Sequence, residues 1–242
     1  MKISQPEKRL FALWGWIDRQ HNACIAARLP EPAQGLVLDI GCGYGSLVNY
    51  LTSHGWQAEG IDNDPAVIEI GQQMFPQAQI KVLDVEHLNS AYPHASISAI
   101  TLKDCFHHLA NEGDIQMILS HVHQVLHPTG KLVILDPNPT WIVRLARKLI
   151  AHQDPEAALQ KSICLLEENG FRVRGTDFFE VIGLPASGGY VGLQLIPNWE
   201  PLNWLVAALN TQLSALINAL GLGHILCWRY VIWADKKNKD GK

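Results

Sequence analysis

The sequence predicts an α/β fold, a doubly wound and mostly parallel sheet, on three observations. Short apolar runs recur at Leu36–Ile40, Gln57–Asp62, Gln79–Leu83, Ile97–Leu102 and Lys131–Asp136, with helix-patterned stretches between them. Acids stand at the ends of four of these runs, at Asp39, Asp62, Asp84 and Asp136. Gly41, Gly43 and Gly45 follow the first run at alternate positions, and Ser46 then opens a helical pattern. A strand that breaks into a glycine-rich turn and becomes a helix is a ligand edge. Glycine lets a ligand approach the backbone, and the helix start offers unpaired N–H groups.

Composition bounds the function. The 242 residues predict one domain, 1–242, large enough to bury a full core. Within it we expect an N-terminal helix over 1–30, a core over 31–182 and 224–236, and a cap inserted at 183–223. A net charge of −4 argues against a nucleic-acid partner bound through a basic face. The five cysteines are far apart and form no Cys-x-x-Cys pair, so neither a disulfide framework nor a metal site is expected. They read as small buried residues in a reducing cytosol. Glu7, Lys8, Arg9, Asp18 and Arg19 interrupt the early apolar residues, which leaves no signal-peptide pattern and predicts a cytoplasmic protein, at most peripheral to a membrane.

In chain order, Ser4 and Glu7 form a capping-box pair with Pro6 in the first turn, and a helix of 5–28 follows, ended by Pro30. Its face of Leu10, Leu13, Trp14, Ile17, Cys24 and Ile25 packs on the domain. The first strand and glycine turn come next, then a helix ending near His54 and Gly55. The second strand ends at Asp62, about twenty residues beyond the turn, where an acid reaches a ribose diol. Asp64 and Pro65 start the next helix as N-cap and first residue. The third strand ends at Asp84. The fourth leads into Lys103, Asp104, Cys105, Phe106, His107 and His108. A helix of 111–126 carries Ile115, Ile118, Val122 and Val125 at helical spacing, and His127-Pro128-Thr129-Gly130 stops it before the fifth strand.

The ligand class follows from the turn. A dinucleotide fingerprint needs Gly-x-Gly-x-x-Gly, and Ser46 stands where its last glycine belongs. Asp39 beside the turn repels a pyrophosphate and suits a cation. Val37-Leu38-Asp39-Ile40-Gly41-Cys42-Gly43-Tyr44-Gly45 resembles the first motif of class I S-adenosylmethionine-dependent methyltransferases of the small-molecule type. The resemblance covers residues 30–136 well and 153–182 and 224–235 loosely. It implies a Rossmann-like methyltransferase fold, a seven-stranded sheet with an antiparallel last strand. It also implies S-adenosylmethionine as cofactor and S-adenosylhomocysteine as product. Asp39, Gly41, Gly43, Gly45, Asp62, Asn63, Asp84, Val85 and Lys103 are the implied cofactor set, with Asp84 at the adenine amino group and the Val85 N–H at a ring nitrogen. His107 and His108 resemble the His-His-Leu seen after this strand in such enzymes, and a histidine beside the acceptor can take a proton. The Asn/Asp-Pro-Pro-aromatic motif of nucleobase amino-methyltransferases is absent, which fits a small-molecule substrate.

The flanks are individual. Residues 140–152 form a short helix with Arg144, Arg147 and Lys148, and Asp154 with Pro155 starts another that Gly170 ends. A strand lies within Phe171–Ile182 and the last near Ile225–Ala234. Leu202, Leu205, Leu209, Leu213, Leu216 and Leu220 form a helical stripe, opposite Asn203, Asn210, Thr211, Ser214 and Asn218, and no charged residue lies between Glu200 and Arg229. Three roles remain open for 202–223: a cap over the acceptor pocket, a homodimer contact, or a weak membrane-surface contact. A cap predicts a fairly apolar acceptor near Tyr190 or Trp199, methylated on O, N or C. The competing functions are a non-catalytic S-adenosylmethionine-binding scaffold and a dinucleotide-dependent oxidoreductase.

Overall fold

The computed structural model describes residues 12–141, 143–144, 157–188 and 196–237. The chain runs α1 (Leu13–Ala26), β1 (Leu36–Ile40), α2 (Ser46–Ser53), β2 (Gln57–Asp62), α3 (Pro65–Met74), β3 (Gln79–Val82), α4 (Leu88–Ala91), β4 (Ile97–Lys103), α5 (Phe106–Glu112), α6 (Ile115–Val125) and β5 (Leu126–Pro137). Beyond these come α7 (Leu159–Glu168), β6 (Phe171–Phe179), α8 (Gly183–Ser187), α9 (Glu200–Ala219), α10 (Gly223–Leu226) and β7 (Arg229–Lys236).

The seven strands lie in the order β3-β2-β1-β4-β5-β7-β6. β1 pairs in parallel with β2 and β4, β2 with β3 and β4 with β5, whereas β7 runs antiparallel to both β5 and β6. The strand order reverses between β1 and β4, so the carboxyl ends of those two strands flank the crevice of an open α/β sheet. Apolar residues of the central strands point alternately to the two sides. Leu38, Ile40, Ile100, Leu102 and Ile134 belong to one core cluster, and Val37, Ala99, Val133 and Leu135 to the other.

Four expectations are corrected. The helix expected over 111–126 is two helices, α5 and α6, because the chain breaks at Gly113 and Asp114 Oδ1 accepts from Met117 N at 3.1 Å as a new N-cap. The His127-Pro128-Thr129-Gly130 turn is part of β5, whose Leu126 pairs with Ile97 across an irregularity in the register. The last strand starts at Arg229, since 223–226 is a helical turn. Cys164 is exposed, unlike the buried Cys42 and Cys227. Residues 1–11, most of the 140–152 helix, and Asp154 with Pro155 lie outside the described residues.

The insertion is turned over relative to its amphipathic pattern. α9 buries Asn203, Asn210 and Ser214 and exposes Leu205, Leu209, Leu216 and Leu220. The cause is the turn after β6. Val181, Ile182 and Gly183 donate their backbone N–H groups to Asn210 Oδ1 at 2.9, 3.0 and 3.1 Å, and Glu180 N donates to Ser214 Oγ at 3.1 Å. Buried backbone donors need acceptors, so the polar side of α9 faces inward. Asn210 Nδ2 also donates to Gln20 Oε1 at 3.1 Å, which ties α9 to α1.

Candidate functional site

At the carboxyl end of β1 the chain turns through three left-handed residues, Gly41 (φ +68°), Gly43 (φ +53°) and Gly45 (φ +81°). Two of them do different work. A Cβ at Gly41 would lie 2.3 Å from Cys105 Sγ, so this glycine lets the turn pack on the end of β4. A Cβ at Gly43 would meet nothing within 4 Å, so that part of the turn faces open space.

Asp62, at the end of β2, is held by the same turn. Its Oδ2 accepts from Gly43 N at 2.9 Å and its Oδ1 from Asp64 N at 3.0 Å. Both bonds use one lone pair per oxygen, and the others remain for ligand hydroxyls. Asn63 beside it is exposed. Asp84, at the end of the next strand over, accepts from Glu86 N at 2.9 Å and caps the turn Val85–His87.

Asp39 lies beneath the turn, buried, with Thr101 Oγ1 donating to its Oδ1 at 2.7 Å. Burial pushes its carboxyl up to about 7; the Thr101 hydrogen bond and the Lys103 charge act in the opposite direction. Lys103 is turned away to α1: its Nζ contacts Asp18 Oδ1 at 2.5 Å, Asn22 Oδ1 at 2.6 Å and Ser46 Oγ at 3.2 Å. These contacts join α1, β4 and the start of α2 beside the glycine turn.

Beyond the carboxyl end of β4 lies a histidine–carboxylate pair. His107 Nδ1 lies 2.9 Å from Asp136 Oδ1, and both side chains are buried. Burial raises the Asp136 carboxyl, and the bond to His107 offsets part of that rise. Nε2 of His107 has no hydrogen-bond partner among the described residues. The His108 ring stacks obliquely on His107, with centroids 4.2 Å apart.

Sequence reasoning missed a second buried group. Arg229, the first residue of β7, bonds Asp104 through Nη1 and donates from Nε to Glu180 Oε2 at 2.8 Å. The same Glu180 oxygen is 3.1 Å from His21 Nε2. Asp104 (φ +55°) and Glu180 (φ +70°) are both non-glycine residues in the left-handed region, a conformation that costs about 1–2 kcal/mol each and is held here by the shared guanidinium. Burial raises Glu180 and lowers both Arg229 and His21. The available signal was an arginine ending a run of 28 uncharged residues, 201–228. Of the two acceptor-side aromatics, Trp199 is exposed and Tyr190 lies outside the described residues.

An open sheet whose carboxyl edge carries a glycine turn, pinned acids at adjacent strand ends and a histidine–aspartate pair defines a doubly wound domain with its ligand edge at the strand-order reversal. The chain belongs to the methyltransferase domain family, whose model matches residues 13–176. It is 28% identical over 161 residues to the O-methyltransferase resE of Aspergillus sclerotiorum, covering 62% of this chain and 59% of that protein. It is 32% identical over 139 residues to a ubiquinone biosynthesis O-methyltransferase of Xanthomonas axonopodis pv. citri, covering 56% and 54%. The chain spans about half the length of the curated relatives it matches. Its fold is similar to that of a SAM-dependent methyltransferase from Archaeoglobus fulgidus, with TM-score 0.64 and 20% identity over 90% of this chain and 94% of that one.

Proposed function

We propose that the chain transfers the methyl group of S-adenosylmethionine to a hydroxyl oxygen of a small, fairly apolar acceptor. The residues present suit that cofactor. The open side of Gly43 leaves room for close approach, the buried Asp39 carboxyl offers a counter-charge to a cation, and Asp62 is already oriented by two backbone N–H groups. In this reading Asp62 and Asn63 take the ribose diol, Asp84 and the Val85 N–H take the adenine edge, and Gly41 and Gly45 keep the turn closed. Lys103 acts one step removed, by holding α1 over the turn. The bound sulfonium supplies an activated methyl carbon. The protein's part is positioning, exclusion of water and removal of the acceptor's proton.

The observation that carries the oxygen assignment is the His107–Asp136 pair. As a carboxylate Asp136 can only accept, so its Oδ1 beside Nδ1 selects the tautomer in which Nε2 accepts a proton. A base placed this way contributes about 10²–10⁴-fold to a reaction that must deprotonate its acceptor. The two relatives named above are both named as O-methyltransferases, which supports the same reading. The test is a panel of small phenols, alcohols and amines with methyl-labelled S-adenosylmethionine. The expected product is an O-methyl ether, with His107→Asn lowering kcat by about 10²-fold or more and leaving cofactor affinity unchanged. Turnover of amines alone, at a rate His107→Asn does not alter, would refute it.

A further inference from the structure

The outward face of α9 is apolar over far more than a helix–helix seam. At about 100° per residue, Leu205, Leu209, Leu216 and Leu220 fall within about 60° of arc, and they are 46%, 45%, 55% and 63% exposed. Trp204, 57% exposed, lies about 100° away on the other flank of the same outward half. The one polar residue between them, Gln212, carries no charge, and residues 201–228 contain no Asp, Glu, Lys or Arg. On the inner face Asn210 and Ser214 hold the turn after β6. The apolar surface continues past the helix end through Leu222 and Ile225. Trp141, exposed, follows Asn138, which bonds the backbone of Cys227 and Trp228.

A coiled-coil partner covers only a narrow stripe of such a helix and would leave Trp204 or the leucine flank in water. A lipid surface envelops the whole outward half, and tryptophans flanking a leucine face suit its headgroup boundary. No helix among the described residues is long and apolar enough to cross a membrane. The missing charge selects the lipid: nothing on α9 is drawn to anionic headgroups, and the chain's net charge of −4 opposes them. We propose that α9 docks flat on an uncharged, zwitterionic lipid surface through this face. β6 ends on the same sheet edge as β1 and β4, so α9, tied to the turn after β6, lies at that edge.

The test is co-sedimentation of the full chain with large phosphatidylcholine vesicles, with light scattering on the lipid-free protein. Wild type is expected to sediment with the vesicles and to stay bound in ~0.5 M salt. Leu209→Glu/Leu216→Glu and, separately, Trp204→Glu are expected to lower the vesicle-bound ratio by at least about tenfold, with unchanged circular dichroism and melting temperature. All three positions are exposed, so the fold is retained. Wild type that stays in the supernatant would overturn the proposal. So would binding confined to anionic vesicles and released by salt. A lipid-free dimer that the leucine variant splits, without sedimentation, would reassign the face to a second copy of the chain.

Discussion

Asp39→Asn should stabilise the ligand-free protein at neutral pH while weakening its hold on a cationic cofactor. The Asp39 carboxyl titrates near 4 in the unfolded chain and, by burial, at about 7 in the fold. Its folded pKa is raised, so between those values the folded state holds a proton that the unfolded state has lost. Stability therefore falls as pH rises through this window, and levels off above about 7. A gap of about three pH units corresponds to about 4 kcal/mol. Asparagine keeps the shape and the acceptor for Thr101 Oγ1 but cannot ionise. Urea unfolding of both proteins at stepwise pH isolates this residue, because Asp136 and Glu180 contribute the same sign to both curves. Near pH 4 the two should be equally stable, and near pH 8 the variant should exceed wild type by up to about 4 kcal/mol. Cofactor affinity behaves oppositely: a bound cation favours the carboxylate, so wild-type affinity should rise up to about tenfold per pH unit below 7 and that of the variant should stay flat. Parallel stability curves for the two proteins would refute the reasoning, since Asp39 would then be ionised in the fold throughout.

Two further perturbations separate architecture from binding. Gly43→Ala adds backbone strain of about 1–2 kcal/mol without a clash, so it should cost little stability but weaken cofactor binding. Gly41→Ala adds overpacking of about 1–3 kcal/mol against Cys105, so its melting temperature should fall well below that of Gly43→Ala; equal melting temperatures would count against the packing role. Arg229→Met removes the guanidinium from the buried Glu180 and the half-buried Asp104 and should cost about 3–5 kcal/mol at pH 8. The loss should shrink at pH 5, where Glu180 takes up a proton, and unfolding at the two pH values reads the difference.

Much of the sheet was legible because its signals are local. The apolar runs of β1 and β4, the Asp64–Pro65 helix start and the three left-handed glycines all follow from short sequence patterns. What was illegible depends on contacts between distant segments. His107 meets Asp136 only because β4 and β5 are neighbours, and Arg229 reaches Asp104 and Glu180 only because β7 is inserted between β5 and β6. The orientation of α9 inverts the usual rule that the apolar face packs inward, because the N–H groups of 180–183 needed acceptors more than the leucines needed cover. The contacts of Lys103 with Asp18 and Asn22 were likewise out of reach, because α1 lies far away in sequence.

The central claim is that the glycine turn and Asp62 hold S-adenosylmethionine. Isothermal titration of wild type and Asp62→Ala with S-adenosylmethionine, S-adenosylhomocysteine and NADH tests it most directly. The account predicts that wild type binds the first two and not NADH, and that Asp62→Ala loses both while remaining folded, because the ribose diol loses its only carboxylate partner in this reading. Binding of NADH alone, or S-adenosylmethionine affinity unchanged in Asp62→Ala, would contradict it.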